Sequence, residues 1–164
     1  MKKIIISATI IIVLISTVII GYNIKIYSGT LVCTNTYEED SVSFKTTYKV
    51  EYKKKYATKL VSIETINTYD VTLLNDYKTN LEMMYLRFNE IPHYQNTISI
   101  KENTLTSKTI INYSKIDLDE LIKVDSSFNE VIKNNKISIT KLKEQYASTG
   151  ALCKYKNSSF CLSK

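Results

Sequence analysis

Across residues 41–52 the chain alternates strictly. Val42, Phe44, Thr46, Tyr48, Val50 and Tyr52 take every second place, with Ser41, Ser43, Lys45, Thr47, Lys49 and Glu51 between them. Successive side chains of a strand point to opposite faces, so a period of two commits the segment to a strand with one face buried and one wet. Such a strand needs hydrogen-bonded neighbours and an apolar cover, which points to an antiparallel sheet packed on one side. Lys53-Lys54-Lys55 reads as a turn, and residues 58–68, with Leu60, Val61, Ile63 and Ile66, read as the return strand of a hairpin. A shorter strand around residues 30–37 is expected to precede it.

Asp70 then reads as a helix N-cap. Leu74, Tyr77, Leu81, Met84, Tyr85 and Phe88 follow at helical spacing, flanked by Leu73, with Asn75, Asp76, Lys78, Glu82 and Asn89 on the other faces. That stripe is expected to pack on the sheet, and the helix to end before Pro92. Residues 94–101, with Ile98 and Ile100 inward, predict another strand. Glu102-Asn103 predicts a turn, and residues 104–113, with Ile110 and Ile111, a returning strand. Asp117 and Glu120 have capping-box spacing ahead of a short helix carrying Leu118, Leu121 and Ile122. Ser126 or Ser127 is expected to cap a turn with Phe128, Val131 and Ile132. Thr140 is expected to open a last helix over residues 141–148, closed by Gly150. This order predicts an α+β domain, a hairpin–helix–hairpin–helices body on an antiparallel β-sheet.

Ahead of the domain, residues 4–24 form an uncharged run of 21, rich in Ile and Val, long enough to span a bilayer's hydrocarbon core as one helix. Lys2 and Lys3 precede it, and Glu38, Glu39 and Asp40 come later, so the charge bias places the N-terminus in the cytoplasm. A cleaved signal peptide has a shorter apolar region and small residues at the cut. A lipoprotein signal needs a small residue directly before the modified Cys, and Cys33 follows Val32. The expected organisation is a cytoplasmic stub (residues 1–3), a transmembrane signal anchor (4–24), a short spacer (25–29), an extracytoplasmic domain (30–153) and a polar tail (154–164). The expected localisation is the cell membrane, crossed once.

The formal charge of +6 divides accordingly. With Lys2 and Lys3 set aside, 20 Lys+Arg face 16 Asp+Glu, and the remaining +4 is interspersed, which argues against a nucleic-acid partner. Three glycines exclude a glycine-rich phosphate loop or dinucleotide fingerprint, and one histidine excludes zinc sites that need two. No cofactor is expected.

Cys33, Cys153 and Cys161 would lie in an oxidising compartment, so one disulfide is expected and three pairings are open. Cys33–Cys153 is favoured because it joins the start of the domain to its end. Cys153–Cys161, a local loop, is the rival.

Candidate chemistry is sparse. His93 follows Pro92 in an expected loop, where a surface role fits better than pairing with a Cys nucleophile. Glu38-Glu39-Asp40 lacks the glycine turn and distal Glu of a calcium loop, so no metal is expected there. Asp117, Asp119, Glu120 and Asp125 form a second acidic patch, which helix capping largely explains. The binding candidates are aromatic: Tyr48, Tyr52, Tyr77 and Tyr85, with Tyr56, could line a cleft between sheet and helix. The competing reading is core aromatics with wet hydroxyls.

Several segments carry a resemblance. They are the Lys-Lys-apolar start, Cys33-Thr34, the hairpin over residues 48–61, and Ser107-Lys108-Thr109-Ile110-Ile111-Asn112-Tyr113-Ser114-Lys115-Ile116-Asp117-Leu118. The ending over residues 146–153 completes it. Together the sequence resembles small exported bacterial proteins related to the YehR-like lipoproteins, of which anchored versions occur in Firmicutes and their wall-less relatives. The resemblance implies an extracytoplasmic hairpin–helix–hairpin–helix body and a Cys33–Cys153 pair, and it brings no activity. The chain departs from the lipoproteins in lacking an acceptable lipid-modification site. The function expected is a membrane-anchored, non-enzymatic binding module at the cell surface, for an envelope polymer, a peptide or a protein partner. The alternative is a structural or accessory subunit of a membrane protein complex.

Overall fold

The computed structural model describes residues 28–157. The predicted anchor at residues 4–24 and Cys161 lie outside them. Six antiparallel strands form one sheet: β1 (Ser28–Glu39), β2 (Val42–Lys53), β3 (Tyr56–Asn67), β4 (Tyr94–Lys101), β5 (Thr104–Ile111) and β6 (Leu152–Asn157), in the order β4-β5-β3-β2-β1-β6. The first three strands run as a meander. Helix α1 (Val71–Leu86) and a 3-10 turn (Phe88–Glu90) then cross to the far edge, where β4 and β5 form the second hairpin. Three short helices, α2 (Leu118–Val124), α3 (Phe128–Val131) and α4 (Ile139–Ser148), carry the chain back to β6 beside β1. The fold is α+β, as the alternation predicts.

Local chemistry explains most boundaries. The β1–β2 connection is a two-residue turn in which Asp40 (φ 45°) and Ser41 (φ 68°) are both left-handed, the backbone twist that suits a tight hairpin. Glu38 and Glu39 therefore belong to β1, and only Asp40 of that acidic trio sits in the turn. The Asp70 carboxylate accepts from the Leu73 N–H and starts α1. Asp117 accepts from the N–H groups of Asp119 and Glu120, which supplies one half of the predicted capping box. At α3 the capping oxygen comes from Asp125, which accepts from the Ser127 N–H, and not from Ser126 or Ser127. Helix α4 starts at Ile139, with Ser138 accepting from the Lys141 N–H, so Thr140 lies inside it. Gly150, at φ 87°, closes α4 as predicted.

Two further boundaries differ from expectation. Strand β1 takes in Ser28 and Gly29, which composition assigns to a spacer. Residues 154–157, expected in a loose tail, pair with β1 from Lys154↔Val32 to Asn157↔Gly29. The edge position explains the miss: Leu152, Lys154, Tyr155 and Lys156 are exposed, so β6 shows none of the apolar alternation that marks an inner strand.

All the helices cover one face of the sheet, and two apolar clusters form beneath them. The larger gathers Leu31, Val50, Leu60, Ile111, Leu121, Val131, Ile137 and Leu142. The smaller gathers Val42, Ile66, Leu74 and Leu105 under α1. Cys33 and Cys153 stand opposite each other on β1 and β6, with Cα atoms 4.0 Å apart, and are joined by a disulfide. This is the favoured pairing, and it excludes the local Cys153–Cys161 loop.

Candidate binding cleft

Between the two clusters the covered face of the sheet turns polar. Register places Tyr48, Ser62, Thr109 and Asn96 in one row across it, and Thr46, Glu64 and Ser107 in the next. The Asn96 side-chain amide donates to Thr109 Oγ1 (2.9 Å) and Ser107 Oγ (3.0 Å). Above this strip lies a cleft of about 310 Å³, floored by the sheet and walled by α1, α3 and α4. Five tyrosines line it: Tyr48, Tyr85, Tyr94, Tyr113 and Tyr146. The rings of Tyr48 and Tyr146 stack at 4.0 Å, and those of Phe88 and Tyr94 at 5.0 Å.

The four predicted tyrosines separate. Tyr48 and Tyr85 meet in the cleft. Tyr77 packs edge-on against Phe44 over the smaller cluster (5.6 Å), and Tyr52 lies edge-on to Tyr155 at another part of the sheet (5.8 Å). A methyl group on Gly29 would lie 2.6 Å from the Tyr52 hydroxyl, so the glycine makes room for that ring. Tyr56 accepts a hydrogen bond from the Asn134 amide and lies under the Lys136 ammonium, at the β2–β3 turn. It lines a larger hollow of about 700 Å³ with Lys53, Lys54, Lys136, Asp117 and Asp119, where charges of both signs are mixed. His93 is exposed in the turn before β4, at φ 71°, and lines neither space.

Sequence reasoning missed Tyr94, Tyr113 and Tyr146, which come from three separate segments. The overlooked signal is the run of polar residues on the inner face of β3 and β5, where Ser62, Glu64, Ser107 and Thr109 replace apolar core. Burial raises the ionisation of Tyr48, Tyr85, Tyr94 and Tyr146 above the usual phenol value, because the phenolate would lose its water. The Tyr113 hydroxyl is wholly enclosed beside the Tyr146 hydroxyl, and among the described residues it has no partner at good hydrogen-bonding geometry. Its ionisation is pushed well up by burial first and then by Tyr146 and Tyr94, and the residue lines both this cleft and the larger hollow. Among the described residues no group of His, Cys, Asp and Glu gathers as metal ligands.

Glu64 is the other unusual group. Burial alone raises its carboxyl above the ordinary carboxylate value, and no ion pair or hydrogen bond to its side chain occurs among the described residues. A raised folded-state value means the native state holds its proton where the unfolded chain has lost it. Stability therefore falls as pH rises from the ordinary carboxylate range through the folded value. Glu64→Gln is expected to raise the urea midpoint at neutral pH. The gain should vanish below the carboxylate range, and a gain that persists in acid would refute this account.

No family model matches the chain, and no curated protein matches it. Solved structures do. The NMR structure of the Escherichia coli YehR protein is 15% identical, covers 84% of this chain and 97% of its own, and superposes with a TM-score of 0.54. An NMR structure of a protein from Streptococcus pneumoniae TIGR4 is 12% identical, covers 79% and 87%, and gives a TM-score of 0.49. The fold is thus YehR-like, and at this identity the likeness concerns the fold alone.

Proposed function

We propose that the chain is a membrane-anchored extracytoplasmic binding module, without enzymatic activity, whose ligand enters the cleft between the sheet and α1 and α4. The observation that carries this reading is the cleft itself: five tyrosines around a polar floor, with one enclosed hydroxyl that has no partner at good hydrogen-bonding geometry among the described residues. A buried hydroxyl without a hydrogen bond costs stability, and a ligand group that satisfies it recovers that cost. Rigid, amphipathic tyrosines suit the walls of such a site. The uncharged run at residues 4–24, with Lys2 and Lys3 before it, supports the membrane part of the proposal.

Phenol and isopropanol titrated into the full chain in detergent micelles should shift the ring NMR signals of Tyr48, Tyr85, Tyr94 and Tyr146. Tyr52 and Tyr69 should stay unmoved. Uniform shifts, or none, would refute the cleft. For topology, Tyr69→Cys, at a position 91% exposed, should react with an impermeant maleimide on intact cells. Labelling only after lysis would reverse the orientation.

A second reading, an accessory subunit of a membrane complex, draws on the exposed Met83 and Leu86 near the end of α1. It expects a fixed partner to co-purify in detergent and to be lost on Met83→Lys.

A further inference from the structure

We propose that the ligand of the tyrosine cleft is a small organic cation, a protonated amine on a short alkyl chain. The inference rests on the binding reading above and names its ligand class.

Three independent features converge on it. The first is charge. The chain carries 22 Lys+Arg, yet among the described residues no Lys, Arg or His lines this cleft, and its only acidic lining residue is Asp125. One Asp125 oxygen caps Ser127, which holds the carboxylate in place. Glu64, in the next row of the sheet and outside the cleft lining, has no ion-pair partner among the described residues, so it adds negative and not positive character nearby. An anion would meet the Asp125 carboxylate here and no counter-charge, whereas a cation would be drawn by it.

The second feature is the wall. Tyrosine and phenylalanine rings attract a cation through their electron-rich faces, and the attraction grows as water is excluded. The volume of about 310 Å³ admits an alkylammonium and is small for a polymer chain. The third feature is the Tyr113 hydroxyl, which stands beside the Tyr146 hydroxyl but has no hydrogen-bond donor at good geometry among the described residues. An ammonium N–H can supply one, while the alkyl part rests on the rings.

The test uses the full chain in detergent micelles and three probes: n-butylammonium, its neutral analogue n-butanol, and tetramethylammonium, which is cationic but has no N–H. Butylammonium is expected to bind about tenfold tighter than butanol, the scale of one desolvated cation–π contact with a nearby carboxylate. Tyr113→Phe should weaken butylammonium several-fold and leave tetramethylammonium unchanged. The same variant should raise the urea midpoint of the free protein, since it removes an unsatisfied buried hydroxyl. A merely structural Tyr113 would not move affinity and stability in opposite directions. Asp125→Asn, whose amide oxygen can still cap Ser127, should weaken both cations about tenfold and butanol not at all. Equal binding of butanol and butylammonium overturns the cation proposal and leaves the cleft as a binding site. Binding of none of the three overturns the proposal too, and the phenol and isopropanol titration then decides whether the cleft itself survives.

Discussion

Replacing Cys33 and Cys153 together by alanine is expected to lower the unfolding free energy by about 4–5 kcal/mol, on the chain-entropy account of cross-links. The bond closes a loop with a sequence separation of 120, so its loss releases a large set of unfolded conformations. Cys33 is fully buried between β2 and β6, and its removal adds a small packing loss to the entropic one. A domain of this size has a total stability of roughly 5–15 kcal/mol, so the double variant stands near the edge of folding. Urea unfolding followed by near-ultraviolet circular dichroism measures the change. Non-reducing peptide mapping should recover the Cys33–Cys153 peptide, and Cys161→Ala should retain full stability. A double variant as stable as the parent would mean that the bond is absent in solution.

Leu142→Ala is expected to cost about 2–5 kcal/mol, the range for emptying a leucine site in a packed core. Leu142 is 1% exposed on α4, seated in the larger cluster. The same helix carries Tyr146 one turn later, and that ring is stacked on Tyr48. The variant should therefore loosen the cleft as well as the core, seen as averaging of the Tyr146 ring signals. Leu152→Ala, at a site 79% exposed, serves as the control and should change stability by less than about 0.5 kcal/mol. Equal costs at both positions would refute the packing of α4 described above.

The backbone of the domain was largely legible because its elements carry local signals. The alternation from Val42 to Tyr52, the Asp70 cap, the Ile98/Ile100 strand and Gly150 each act within a few residues, and each stands where the periodicity predicts. Strand β6 was illegible because an edge strand with four exposed side chains buries too little to imprint a pattern. Ile137 is almost wholly buried, yet it stands among Lys133, Asn134, Asn135 and Lys136 and gives no periodic cue. The cleft was half legible. Tyr48 and Tyr85 sit on regular elements whose inward face can be read from spacing. Tyr94, Tyr113 and Tyr146 join them only through the sheet order and the return of α4, which are long-range facts. The inward placement of Glu64 follows from its register with Thr46, but an acidic residue in an inward position reads locally as a surface one.

The disulfide also determines how the domain would bear a mechanical load. Strand β1 enters and strand β6 leaves at the same end of the sheet, since Gly29 pairs with Asn157. A pull between these two points peels the strands apart one pair at a time, through Thr30–Lys156, Leu31–Tyr155 and Val32–Lys154. The next pair is Cys33–Cys153, where the tension passes into a covalent bond. Every residue from 34 to 152 is then bypassed. The residues lining the tyrosine cleft all lie inside that loop, so the load does not run through them.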